Sequence, residues 1–258
     1  MLPYQDKMKS FGRLLKIMDE LREQCPWDRK QTMESLSSLT VEETYELIDG
    51  IESNDLQNVK EELGDIMLHM VFYAKIGDEQ GAFDIKDSLD AVCDKLIRRH
   101  PHIYGDVNVR DDEEVKKNWE LIKMAEGKKS VLQGVPNALP GLIKAQRMQE
   151  KAAQVGFEWD KVDEVWEKVE EEMLELKEAI NENDQVKKTE EFGDLLFALI
   201  NYARYIDVDA NRALDLTNRK FKSRIEYIEA NSDKPLSDMT LGEMDKLWDE
   251  AKVNMLMG

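Results

Sequence analysis

Glu172 and Glu175, then Glu191 and Asp194, form two acidic pairs, Glu-x-x-Glu and Glu-x-x-Asp, separated by sixteen residues. The same four stand 129 positions earlier as Glu43, Glu46, Glu62 and Asp65. Residues three apart on a helix are neighbours on one face, where like charges cost roughly 0.2–0.5 kcal/mol per pair. A solvated face tolerates that. The second pair of each set is different, because residues 192–203 and 63–74 are apolar on nearly every side and carry no Lys or Arg. Such a helix is expected to be buried, and a carboxylate within it must be paired, protonated or bound to a cation. An all-oxygen ligand set suits a hard cation, Mg²⁺ first with Mn²⁺ as a substitute. The chain therefore reads as a tandem repeat of one acidic, metal-binding helical unit.

A basic segment follows each acidic set. Lys220 and Arg224 share a helix face, as do Lys95 and Arg99. Cations aimed at a carboxylate–metal cluster suit a polyphosphate, with a water attacking in line and a spare carboxylate orienting it. Alone, the same residues would be a solvated helix end favoured by the helix dipole. Trp119 and Trp248, 129 apart, are candidates to stack a base or sugar, followed at the same spacing by Lys123 and Lys252. His69 falls in an apolar run and reads as a core histidine. Neither a phosphate-binding glycine loop nor a dinucleotide fingerprint is present.

Helices must position these groups. Apolar spacing predicts helices over 9–23, 32–53, 56–75, 84–99 and 111–125, then again over 142–155, 162–180, 185–206, 209–230 and 241–253. Asn54-Asp55 and residues 181–184 are the expected turns between the acid-bearing helices. Gly64 and Gly193, each inside a helix, imply either a close approach to the backbone or plain helix packing. Gly134, Pro136, Pro140 and Gly141 interrupt any helix. The expected organisation is a first domain over 1–127, a linker over 128–141 and a second domain over 142–258, all-α throughout.

Composition narrows the partners. A formal net charge of −19 argues against general nucleic-acid or anionic-membrane binding, which need a positive field. No apolar run reaches 18 residues and no signal pattern opens the chain, so no membrane span is expected. Cys25 and Cys93 form no framework, which makes a reducing cytoplasmic compartment the default.

Taken together, these residues resemble the MazG family of nucleoside triphosphate pyrophosphohydrolases in its two-domain form. The resemblance covers nearly the whole chain. It rests on the doubled acidic pattern, on Cys25-Pro26-Trp27-Asp28, and on Gly134-Val135-Pro136 with Ala138-Leu139-Pro140. Val155-Gly156-Phe157, and Lys220-Phe221 with Arg224, complete it. It implies tandem helical domains related to all-α nucleoside triphosphate pyrophosphatases, pairing into bundles as a homodimer. It further implies Mg²⁺-dependent cleavage of nucleoside triphosphates between the α- and β-phosphates, giving monophosphate and pyrophosphate with broad base tolerance, in nucleotide-pool house-cleaning or regulation. On this chain Glu172, Glu175, Glu191 and Asp194 would bind Mg²⁺, and Lys168, Glu171, Lys220, Phe221, Arg224 and Trp248 would contact nucleotide. The C-terminal copy would be the main catalytic one. The acidic set gives no reason for the first copy to be silent, since Glu43, Glu46, Glu62 and Asp65 are all present. One departure is Cys93 where Asn218 stands, if Lys95 is aligned with Lys220.

Three rival readings keep a testable form. A ferritin-like di-iron protein would want Glu-x-x-His on two helices, and the chain has only three histidines. A non-catalytic helical scaffold or regulator would bind cations without turnover. An enzyme for one non-standard nucleotide would share the site but not the breadth.

Overall fold

The protein is described here from a computed structural model, which covers residues 4–111, 114–115, 118–119, 122, 126 and 130–255. The expected helix over 111–125 falls largely outside these residues, as does Lys123. All regular structure among the described residues is helical, and the chain divides into two compact units, residues 1–111 and 112–258.

In the first unit α1 (Gln5–Gln24), α2 (Met33–Glu52) and α3 (Leu56–Glu79) surround a core of Met18, Leu36, Val71, Phe72 and Ile76. α2 and α3 form the principal packed pair, and α1 lies on α3. Thr32 starts α2 through a capping box, its hydroxyl accepting from Ser35 N at 3.2 Å while Ser35 Oγ accepts from Thr32 N at 2.9 Å. Arg22 fixes the α1–α2 connection. Its guanidinium donates to the carbonyls of Asp28 and Gln31 and pairs with Glu79. α4 (Ile85–Arg99) and a short α5 (Pro101–Tyr104) complete the unit. Pro101 ends one helix and opens the next, at the position where its missing N–H costs nothing.

The second unit repeats the arrangement. α6 (Gly141–Ala153) lies on α8 (Gln185–Tyr205), which pairs with α7 (Val162–Glu182). α9 (Ala210–Asn231) and α10 (Leu241–Met255) follow and pack together. The two acid-bearing hairpins turn identically. Asn54 and Asn183 adopt the left-handed conformation, with φ of 57° and 56°. Asp55 and Asp184 then cap the next helix, each accepting two backbone N–H groups.

Two expectations change at this level. The helices of Asp65 and Asp194 are buried along one face only, and both aspartates are exposed. On the open face of α8, Phe192, Leu196 and Leu199 remain 54, 40 and 40 % exposed, and Leu63, Met67 and Met70 repeat them on α3. Gly64 and Gly193 lie on these open faces, and a Cβ at either would meet nothing within 4 Å. Within each unit, therefore, no close approach explains them.

Candidate metal and nucleotide site

The α7–α8 hairpin places Glu172, Glu175 and Glu191 so that one carboxylate oxygen from each lies within 4.8 Å of the others. Glu172 is 6 % exposed, because the Val165–Val169–Glu172 stripe faces the unit's interior. Burial raises the Glu175 carboxyl above its ordinary pKa, and the charges of Glu172 and Glu191 add to the effect. Asp194 is exposed and stands on the wall of the adjoining cavity with Glu172. Glu43, Glu46 and Glu62 form the matching triad on the α2–α3 hairpin. All three are shifted upward, with burial the first cause in each. Asn58 Nδ2 donates to Glu62 Oε1 at 2.9 Å.

In the second unit a cation answers the acidic triad. Lys168 Nζ lies 2.6 Å from Glu172 Oε1 and 3.0 Å from Glu171 Oε1. Those bonds, to Glu172 first, hold the ammonium well above its usual pKa. The corresponding position 129 residues earlier is Leu39.

Behind Lys168 and Glu172 the second unit holds a cavity of about 290 Å³. Its apolar wall includes Val165, Phe197, Ala198, Phe157 and Trp159, with Gln149, Asn201 and Arg204 among the polar residues. The 129-residue register carries Ala198 onto His69 and Asn201 onto Phe72. His69 is 7 % exposed and bonded to Thr40 Oγ1 at 3.1 Å, and Phe72 is 2 % exposed within the core. Burial lowers the His69 pKa, as suits a neutral core histidine. The first unit thus puts large core side chains at positions where the second has small or polar cavity-lining residues.

Lys220, Phe221, Arg224 and Trp248 form a separate group on α9 and α10. Phe221 meets Trp248 edge-on at 5.5 Å, and the Arg224 guanidinium lies 5.0 Å from the same ring. Arg224 Nε is buried without a hydrogen-bond partner, and Lys220 is exposed. None of the four lines the cavity. Trp119, expected to repeat Trp248, is half-buried.

A model of the MazG nucleotide pyrophosphohydrolase domain matches residues 31–104 and 161–228, the two acid-bearing hairpins with their flanking helices. The chain belongs to this family. A nucleoside triphosphate pyrophosphohydrolase of Escherichia coli strain K12 is 40 % identical over 259 residues, covering 95 % of this chain and 98 % of that one. A Thermotoga maritima protein described as nucleoside triphosphate pyrophosphohydrolase/pyrophosphatase MazG is 45 % identical over 250 residues, covering 94 % and 95 %. A mazG-related crystal structure from T. maritima aligns at 27 % identity and a TM-score of 0.40, over 44 % of this chain and 98 % of that one.

The carboxylates of this MazG-family chain stand out in its sequence, whereas the cavity does not. Gln149, Asn201 and Arg204 are polar residues in otherwise helical text. Only their comparison with the first repeat, where Phe72 replaces Asn201, would have marked one of them.

Proposed function

We propose that the chain hydrolyses nucleoside triphosphates to monophosphate and pyrophosphate at the C-terminal copy, with a divalent cation, Mg²⁺ first, held by Glu172, Glu175 and Glu191 and assisted by Asp194. The observation that carries this reading is the triad's union with Lys168 and a cavity in the second unit, within a family named for this chemistry. The donor set fits the metal: three carboxylate oxygens converge, and burial and mutual repulsion have already raised the Glu175 pKa, a penalty that a cation removes. A bound cation would neutralise phosphate oxygens and lower the pKa of a coordinated water. Lys168 sits where it can exchange a carboxylate partner for a phosphate oxygen. Asp194, exposed at the cavity wall, would complete the metal's ligand set or accept a proton from the attacking water.

The first copy keeps its acidic triad but has Leu39 in place of the lysine, so its role is structural. The broad base tolerance and the division into domains at 1–127 and 142–258, joined by 128–141, belong to the same proposal.

Product analysis tests the reaction. With Mg²⁺ and a panel of ribo- and deoxynucleoside triphosphates, the expected products are monophosphate and pyrophosphate. Diphosphate plus phosphate would overturn the α–β assignment, and absence of turnover would favour a cation-binding scaffold.

Homodimerisation is part of the proposal. The exposed Phe192–Leu196–Leu199 stripe, repeated by Leu63–Met67–Met70, is a helix seam left without a partner inside its own unit. Leu196→Glu is expected to shift a dimer to monomer in sedimentation velocity, and a wild type that sediments only as monomer would remove this part.

A further inference from the structure

We propose, resting on the function above, that Arg204 and Tyr205 are positioning residues that hold the 154–161 loop closed as the outer wall of the second unit's cavity. The loop brings Phe157 and Trp159 to that wall, yet both stay open to solvent, at 78 and 41 % exposed. It lies outside any helix, so its place depends on its ties. One end is fixed by the stop of α6. Gly156 takes the left-handed conformation, with φ of 84°. Phe157 N then donates to the Ala152 carbonyl at 3.0 Å, and Gly156 N to the Ala153 carbonyl at 2.9 Å. The middle is held from the last turn of α8. Arg204 Nη1 donates to Glu158 Oε2 at 3.1 Å, and the Tyr205 hydroxyl donates to the Trp159 carbonyl at 2.7 Å. Arg204 is braced in turn. Its Nε and Nη2 donate to Asn201 Oδ1 at 3.3 and 3.2 Å, and its guanidinium lies 4.6 Å from the Tyr205 ring.

Arg204 is itself a cavity residue, whereas Glu158 and Tyr205 are not among those lining it. The two bonds therefore set the wall from α8 without Glu158 or Tyr205 meeting what the cavity holds. The first unit ties its corresponding connection from a different helix. There Arg22 of α1 donates to the carbonyls of Asp28 and Gln31. The register positions of Phe157, Arg204 and Tyr205 are Asp28, Lys75 and Ile76, so neither the aromatic residue nor the tie recurs. Bonds at partly exposed positions are individually weak, which makes the closed loop a populated state rather than a locked one. A ligand that needs the closed wall binds with an apparent dissociation constant that rises as the closed fraction falls. Where chemistry is slower than substrate release, KM follows that constant. The acidic hairpin still meets the bound substrate in the same geometry, so kcat stays.

Glu158→Ala, Arg204→Met and Tyr205→Phe each cut this tie at a different atom. In the full chain with ATP and Mg²⁺, each is expected to raise KM about fivefold and hold kcat within about twofold, the scale of one partly exposed bond. Glu158→Ala combined with Arg204→Met is expected to cost no more than Arg204→Met alone, because both remove the same pair. Arg204→Lys, which keeps the charge, is expected to return KM to within about twofold of wild type. Hydrogen exchange of the 155–160 amides in ligand-free protein is expected to quicken in the three cutting variants and much less in Arg204→Lys. A large fall of kcat in Arg204→Met with Glu158→Ala unaffected would overturn the proposal, by placing Arg204 on the substrate itself. Lowered melting temperatures with unchanged KM would also overturn it, reducing the tie to a brace, and so would unchanged exchange in the loop. If the wild type releases no pyrophosphate, titration calorimetry with α,β-methylene-ATP takes the place of KM. Weaker binding in the same variants would then sink the hydrolase reading and leave the positioning role standing. Equal binding by all, or none by the wild type, would sink the positioning role.

Discussion

Glu172→Gln is expected to reduce kcat/KM on the order of 10²–10³-fold, the scale for removing a group that meets developing charge in a closed site, while the protein stays folded. The amide keeps the volume of a side chain that is 6 % exposed, and it can still accept a hydrogen bond from Lys168. What it loses is the negative charge facing Glu175 and Glu191. In metal-free protein that loss relieves repulsion, so thermal stability in a chelator should be equal to or above wild type. Mg²⁺ should then raise the variant's melting temperature less than it raises that of wild type, because one ligand is gone. Activity within a few-fold of wild type would exclude the proposed centre. A variant destabilised in the chelator would show that the triad's stability comes from the Lys168 pair more than the triad's repulsion costs.

Lys168→Met carries the second large effect, expected at about 10²-fold in kcat/KM. Methionine resembles the leucine that the first unit has at this register and removes the ammonium that sits between Glu172 and Glu171. Glu43→Gln, the matching change of ligand type in the first unit, is expected to alter turnover by no more than about twofold. The two variants together ask whether one lysine separates a reactive copy from a silent one. Loss of activity in Glu43→Gln matching that in Glu172→Gln would mean that both triads are reactive. Unchanged kinetics in Lys168→Met would return the lysine to a plain helix ion pair, worth a few tenths of a kcal/mol at an exposed position.

The repeat was legible because it is written in carboxylates at fixed spacing, and helix periodicity located the acidic hairpins to within a few residues. Even the turns followed from Asn54-Asp55 and Asn183-Asp184. Burial was harder to read. Residues 192–203 look apolar all round, yet α8 buries one face and leaves Phe192, Leu196 and Leu199 open. A run of apolar residues states that a helix will be covered, without stating whether its own unit or another copy covers it. The cavity was illegible for a different reason. It is made of what is small, Ala198 and Ala152, and of amides whose roles depend on which atoms are already bonded. Neither property has a periodic signature. The Lys168–Glu172 pair sits at ordinary helix spacing, and only its absence from the first copy, as Leu39, gives it contrast.

The two acid-bearing hairpins show what keeping a binding space beside a carboxylate set demands of a fold. At these register positions the first hairpin has the apolar side chains Phe72 and Leu39, whereas the second has Asn201 and Lys168 on the wall of a cavity of about 290 Å³. Empty volume and partnerless amides both lower stability. If the second copy carries catalysis, as proposed, selection for reactivity holds it below its attainable stability, while a copy relieved of catalysis is free to accumulate tighter packing. On that proposal duplication divides labour: one half drifts toward robustness, and the other keeps the weakness its chemistry requires.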